Sequence, residues 1–292
     1  MTGIRSYTPP AVQRWMTARR RAERIALYIT IVFVCLVIVF PLYWLVINAL
    51  IPGREVFRYP PAFFPTSFRL DAYREIIELH PILTWLKNSI VVSAGTVALA
   101  LVLEIMGAYA LSRHGWPGRS LLAMGLLSTQ MIPSAVLVIP IFVIFRQAGL
   151  VDSHLGLITV DTALTVPVGI WILKGAFDTI PEEIADAAFA DGCSEMGVLV
   201  RMLLPLSLPA LVAVAVIAFF TAWDEFVFAS VFIISQSLRV FSVGISTFIG
   251  EMATPVDLIF AAASIFVIAP LIFYAIVERY LLSGLSAGAV KG

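Results

Sequence analysis

Four acids stand inside long apolar runs of this chain: Glu104, Asp161, Asp224 and Glu225. A carboxyl group is costly in hydrocarbon and is retained where it faces a partner or a wet cavity. Trp223 directly precedes Asp224 and Glu225. A ring beside carboxylates can stack on a sugar face while the acids bond its hydroxyls, and the same three residues also suit helix packing and gating. Glu104 fits a hydrogen-bond acceptor on a solute path or a structural bond to another span. Asp161 lies near the outer part of its run and reads as interfacial. Gln130 and Pro133 mark either a site or a bend. Reaction chemistry has no foothold. There is no G-x-x-x-x-G-K-[ST] phosphate loop, no H-E-x-x-H and no G-x-S-x-G, and His80, His114 and His154 are scattered. No catalytic residue, metal site or bound cofactor is therefore expected.

The elements that must hold these residues are membrane spans. Of the 292 residues, 60% are hydrophobic and 13% charged, against about 25% charged in an ordinary soluble domain. Mean hydropathy is +0.98 and net charge is zero, so no strongly basic or acidic partner is implied. Cys35 and Cys193 lie in unlike segments and suggest no disulfide. Uncharged runs of 29, 26, 22 and 20 residues follow Arg24, Arg119, Arg201 and Asp257. Two more, Lys87 to Arg113 and Asp152 to Lys174, are each broken by one acid. Each can cross a core of roughly 30 Å as a helix. The expectation is an all-α, polytopic membrane protein with six transmembrane helices near 25–50, 86–112, 120–145, 155–175, 205–229 and 258–280. Residues 1–24 and 283–292 form tails flanking a membrane domain over 25–282.

Placing the arginine-rich N-terminus in the cytoplasm puts 12 basic residues inside and seven outside, as the positive-inside rule requires. Both termini are then cytoplasmic. The 51–85 loop is external, rich in proline and aromatics, and suits a short structured cap. The 175–204 loop is internal and carries six acids. Its Pro181-Glu182-Glu183 is helix-start chemistry. A short helix to about Asp191 would place Ile184, Ala187 and Ala188 on one apolar face. Gly192 would permit the turn that ends it, and a second short helix could run from Ser194 to Leu203.

That loop resembles the cytoplasmic EAA loop of ATP-binding cassette (ABC) importer permeases. Asp186-Ala187-Ala188, Gly192, Met202 and Leu204-Pro205 occupy the pattern, with Asp replacing Glu and Met replacing Ile. Trp223-Asp224-Glu225-Phe226 is similar to the W-N-E-F stretch of sugar-importer permeases. The Gly284–Gly292 tail resembles the G-L-T-A-G-A-V-K-G end of maltose-type permeases with six spans. The resemblance covers roughly residues 20 to 292.

It implies the ABC type I importer permease fold and the role of a sugar-importer subunit in a bacterial cytoplasmic membrane. It further implies a heterodimer with a second permease, an ATPase homodimer that binds ATP and Mg, and an extracytoplasmic sugar-binding protein. Glu183, Ile184, Asp186, Ala187, Ala188, Asp191, Gly192, Leu204 and Pro205 would form the ATPase-coupling element. Glu104, Gln130, Trp223, Asp224 and Glu225 are candidates for the substrate pathway. The tail fits insertion into a partner or a free end. Within the same class, a glycerol phosphodiester or polyol importer is the alternative. In another class, an ion-coupled secondary transporter would show broken helices and inverted repeats, and no internal repeat is evident.

Overall fold

The structure, a computed structural model, describes the backbone at residues 10–61, 63–64, 68–250 and 256–289 and side chains over 19–61, 63–64, 68–248 and 256–281. In chain order come α1 (Pro10–Leu50), α2 (Gly53–Val56), α3 (Asp71–Leu79), α4 (Ile82–Arg113), α5 (Arg119–Thr129), α6 (Ser134–Gln147) and α7 (His154–Asp178). Then follow α8 (Glu182–Ala190), α9 (Glu195–Val198), one π turn (Leu199–Leu203), α10 (Leu204–Leu206), α11 (Leu208–Asp224), α12 (Val227–Phe232), α13 (Phe241–Gly250) and α14 (Val256–Ala289). No strand occurs among the described residues.

Four helices, α1, α4, α7 and α14, are long and apolar enough to cross a membrane unbroken. The third and fifth spans are bent. α5 and α6 meet at 102°, and the segment through α10 meets α11 at 83°. Proline explains both bends. Pro133 supplies no N–H and pushes its predecessor away from helical geometry. Pro209, in the first turn of α11, has no N–H to carry the helix back across the break at Ser207. The expected bend at Gln130–Pro133 is thus present, and the six spans include two broken ones. α1 and α14 continue through Pro41 and Pro270, and α6 and α7 likewise hold Pro140 and Pro167.

Helix extends into both tails. α1 already begins at Pro10, and the α14 backbone continues to Ala289. The remainder of the two tails, residues 1–9 and 290–292, lies outside the described residues.

α4 and α7 form the central pair. Gly95 and Gly107 of α4 lie against Ile158 and Ile170 of α7. Both rows advance by the same step, so the helices run parallel, as a second and a fourth span must. Small residues let membrane helices approach closely where no hydrophobic driving force separates helix from lipid. α11 packs on both α4 and α7, and α14 packs on α1 and α11. Within the 51–85 loop, α3 buries Ala72 and Ile76 against α14 and α4. α13 was not anticipated; its Phe241 and Phe248 surround Trp85 of α4. The apolar side chains of α1 from Ile25 to Phe40 are exposed, and Leu36, Val39 and Phe40 line a cavity together with Phe63 and Phe64.

Candidate functional site: the internal loop and the acids of the spans

Pro181 leads into α8 from an extended conformation, and Glu182 and Glu183 fill the first turn. The helix ends where Asp191 N–H donates to Ala187 O at 3.0 Å and Gly192 N–H to Phe189 O at 2.9 Å. Gly192 holds φ +83°, a conformation that a Cβ disfavours. Cys193 N–H then returns to Ala188 O at 3.0 Å. Ser194 caps α9, its Oγ accepting the Gly197 N–H at 3.2 Å. Two short helices joined at Gly192 are therefore present, as the loop's residues suggested.

Their faces need one correction. Ala188, expected beside Ala187 on the outward face, is 3% exposed. The turn at Gly192 folds α9 back on α8, and Ala188 faces that packing instead of a partner. Glu183, Asp186, Ala187 and Asp191 are exposed, and so is Ile184, at 38%. Phe189 is 43% exposed and was not singled out; a phenylalanine left open on a small polar helix is the signal that could have found it. Leu204 is half-buried and Pro205 exposed.

The loop is tied to two spans. Arg113, at the end of α4, donates from Nη2 to Phe177 O at 2.8 Å and Ile180 O at 2.9 Å. Ser112 Oγ donates to Asp178 at 2.6 Å, and Lys174 bonds the other Asp178 oxygen at 2.5 Å. A cation holding the last carbonyls of a helix satisfies acceptors the helix itself leaves open. Arg113 thereby ties the segment leading into α8 to the ends of α4 and α7.

The acids of the spans lie on separate elements. Glu104 is 1% exposed in the α4–α7 seam, its carboxyl pressed on Gly169 with no hydrogen-bond partner among the described residues. Asp161, read as interfacial, is also buried and has no hydrogen-bond partner among the described residues. Trp223 is 1% exposed. It stacks on Phe219 at 5.6 Å and on Phe266 at 5.0 Å, so no face is open to a sugar. Glu225 accepts the N–H groups of Phe228 and Ala229, both at 2.7 Å. It therefore caps the first turn of α12. Asp224 is exposed at the α11–α12 break. Gln130 is exposed at the α5–α6 break and donates to Leu164 O at 2.9 Å. Of the five pathway candidates, Asp224 and Gln130 are the ones the fold leaves open.

On the opposite side from α8, one loop residue carries several bonds. Asp152, at φ +58°, accepts from Ile234 N–H at 2.9 Å, Ser235 N–H at 2.8 Å and the Ser235 hydroxyl. The Ser235 hydroxyl and N–H hold its carboxyl below the usual range. A carboxylate depressed in the folded state stabilises the fold above its unfolded value of about 3.9 and loses that effect as pH falls through the lower folded value. The tie is therefore complete at neutral pH. Asp152→Ala is expected to speed amide hydrogen exchange at Ile234 and Ser235 at pH 7, and the gap from wild type should shrink below about pH 4. Equal exchange in both proteins at pH 7 would show that the tie does not hold the loop.

Comparison with known proteins follows from this geometry. Residues 104–286 match the family of binding-protein-dependent transport system inner membrane components. The inner membrane ABC transporter permease protein YcjP of Escherichia coli (strain K12) is 32% identical, over 94% of this chain and 99% of that protein. The trehalose/maltose transport system permease protein MalG of Thermococcus litoralis is 31% identical, over 92% of this chain and 98% of that protein. The diacetylchitobiose uptake system permease protein DasC of Streptomyces coelicolor is 32% identical, over 90% and 96%. In fold, the chain is similar to one in the crystal structure of a bacterial ABC transporter involved in the import of the acidic polysaccharide alginate. The TM-score is 0.75 at 19% identity, over 94% of this chain and 99% of that one. Broken helices alone had also fitted an ion-coupled secondary transporter, but the matched region spans both bends and the tied internal loop. The chain belongs to the family of binding-protein-dependent transport system inner membrane components and is a multi-pass inner membrane permease.

Proposed function

We propose that this chain is one permease subunit of a binding-protein-dependent ABC importer for a sugar, with both termini in the cytoplasm. The observation that carries the reading is α8, an exposed helix whose leading segment, at Ile180, is fastened by Arg113 to the ends of α4 and α7. An ATPase homodimer, binding ATP and Mg, would grip Glu183, Ile184, Asp186, Ala187 and Asp191. Closure of that dimer would move α8 as a lever and switch the spans between inward-open and outward-open states. Relatives that carry trehalose or maltose and diacetylchitobiose support a sugar as solute.

A heterodimer with a second permease is supported by α1, whose apolar side chains from Ile25 to Phe40 stay exposed among the described residues. An extracytoplasmic binding protein would meet the opposite face, where a cavity of about 410 Å³ is lined by Arg54, Arg69, Asp71 and Glu75. A second reading, import of a charged glycerol glycoside or polyol, is favoured by one relative. The sulfoquinovosyl glycerol transport system permease protein SmoH of Agrobacterium fabrum is 32% identical over 87% of this chain.

Catalysis lies outside this chain in either reading. The purified chain, free of other subunits, is expected to show no ATP hydrolysis above background, because it lacks a phosphate loop. Hydrolysis by an ATPase-free preparation would contradict the division of labour. Solute identity is tested by equilibrium binding of labelled sugars and glycerol glycosides to the co-purifying binding protein.

A further inference from the structure

We propose that a second cavity, at the cytoplasmic ends of α4, α5 and α7, binds the phosphate headgroup of an anionic phospholipid. The cavity has a volume of about 570 Å³, and Arg113, Arg119 and Lys174 lie on its wall. Two acids share the lining, Asp178 and Glu182. Asp178 is committed to Lys174 and Ser112. Arg119 is exposed, makes one long bond at 3.3 Å to His114 O, and forms no ion pair among the described residues. Its helix, α5, starts with no side-chain cap and no acid in the first turn. Three basic groups against two acids leave the lining net positive, and Arg119 is in no ion pair among the described residues.

A lipid suits this place better than a free anion because the walls change character across it. Trp171 and Met124 line the cavity beside the basic groups and are themselves exposed. Leu121 and Leu122, one turn into α5, are exposed as well. A headgroup can meet Arg119 while its chains run along these apolar side chains. Tryptophan at the boundary and basic pockets between spans on the cytoplasmic side are the usual terms of such recognition. Pro181 and Glu182, the residues that open α8, complete the lining. An occupant thus touches the base of the proposed coupling helix, and lipid charge would tune coupling.

The inference rests on the cytoplasmic placement proposed above, and its test reads lipid directly. The affinity-purified importer complex is placed in nanodiscs of phosphatidylcholine, with or without phosphatidylglycerol, and retained lipid is counted by native mass spectrometry. The wild-type complex is expected to retain phosphatidylglycerol over phosphatidylcholine, and Arg119→Lys to do the same. Arg119→Gln should lower that preference about fivefold, the loss of one basic contact at a membrane surface, while Arg279→Gln should not. Intact assembly of each variant is checked by size-exclusion chromatography. Equal retention by wild type and Arg119→Gln overturns the site, and equal loss in Arg279→Gln reduces it to general surface charge. Displacement of the lipid by inorganic phosphate alone makes it a free-phosphate site. Crosslinking of position 119 to the ATPase makes the cavity part of that interface. Because the lipid count needs no transport, a failed site leaves the importer reading intact, and a failed importer reading appears as a complex without an ATPase.

Discussion

Combining Asp186→Lys with Gly192→Val is expected to leave full-length protein in the membrane, remove the ATPase from the purified complex, and cut solute uptake at least tenfold. Open space surrounds a Cβ at Gly192, but the backbone there holds φ +83°. The valine therefore meets no neighbour, and the cost is conformational. Left-handed geometry costs an L-residue about 1–2 kcal/mol, and a β-branched one is a true outlier there. Relief comes from re-aiming the turn, which tilts α8 relative to α9. Asp186 is exposed and in no ion pair among the described residues, so its replacement disturbs nothing inside the chain. It reverses a charge on a surface meant for a partner, a repulsive element at an interface. A tenfold loss corresponds to about 1.4 kcal/mol, which the two changes together should exceed. Co-purification of the ATPase with each variant, beside labelled-solute uptake, measures both effects. Normal recruitment and normal uptake by the double variant would mean that α8 is not the coupling element.

Gly169→Val is expected to damage the molecule more broadly. A Cβ built at Gly169 falls on the carboxyl of Glu104, and Glu104 is closed in by α4 and α7. Overpacking of this kind typically costs about 1–3 kcal/mol, and here the displaced group is a carboxyl with nowhere wet to go. The purified complex should melt several degrees lower, read by intrinsic fluorescence, with aggregate rising in size-exclusion profiles. Glu104→Ala alone should also lower the melting temperature, because it empties the seam. Joined with Gly169→Ala it should recover part of that loss, since the new methyl occupies the vacated space. Residues in direct contact show such non-additivity of about 0.5–3 kcal/mol. Strict additivity, or a Gly169→Val complex that melts like wild type, would contradict the contact. A Glu104→Gln variant with unchanged melting and lowered uptake would support the pathway reading of this residue over the structural one.

What could be read from residues alone follows the reach of each signal. Apolar runs free of charge marked α1 and α14, and runs broken by a single acid marked α4 and α7, because lipid demands about twenty apolar residues in a row. The bend near Pro133 was readable from the proline itself. The second bend was not, although Pro205 and Pro209 flank Ser207; two prolines near a helix start are ordinary, and only the 83° turn between helices gives them meaning. α13 was missed because ten residues cannot span a bilayer, and its place beside Trp85 depends on Gly244, where a Cβ would meet the indole ring. Within the loop, helix-start acids and a terminal glycine forecast α8 and its end. They could not forecast that α9 folds back over Ala188, since that contact is made across the turn. By type, Trp223 and Glu225 suited either sugar contacts or helix packing. Their neighbours in space, Phe219, Phe266 and the N–H groups of α12, absorb both.

The most direct measurement of the central claim is uptake into proteoliposomes. The complex co-purifying with this chain from its native membrane is reconstituted with ATP inside, and its binding protein, loaded with labelled sugar, is supplied outside. The account predicts accumulation of the sugar that requires both internal ATP and the binding protein, with no uptake when either is left out. Accumulation driven by a proton or sodium gradient without ATP, by a preparation containing this chain and no ATPase, would contradict it.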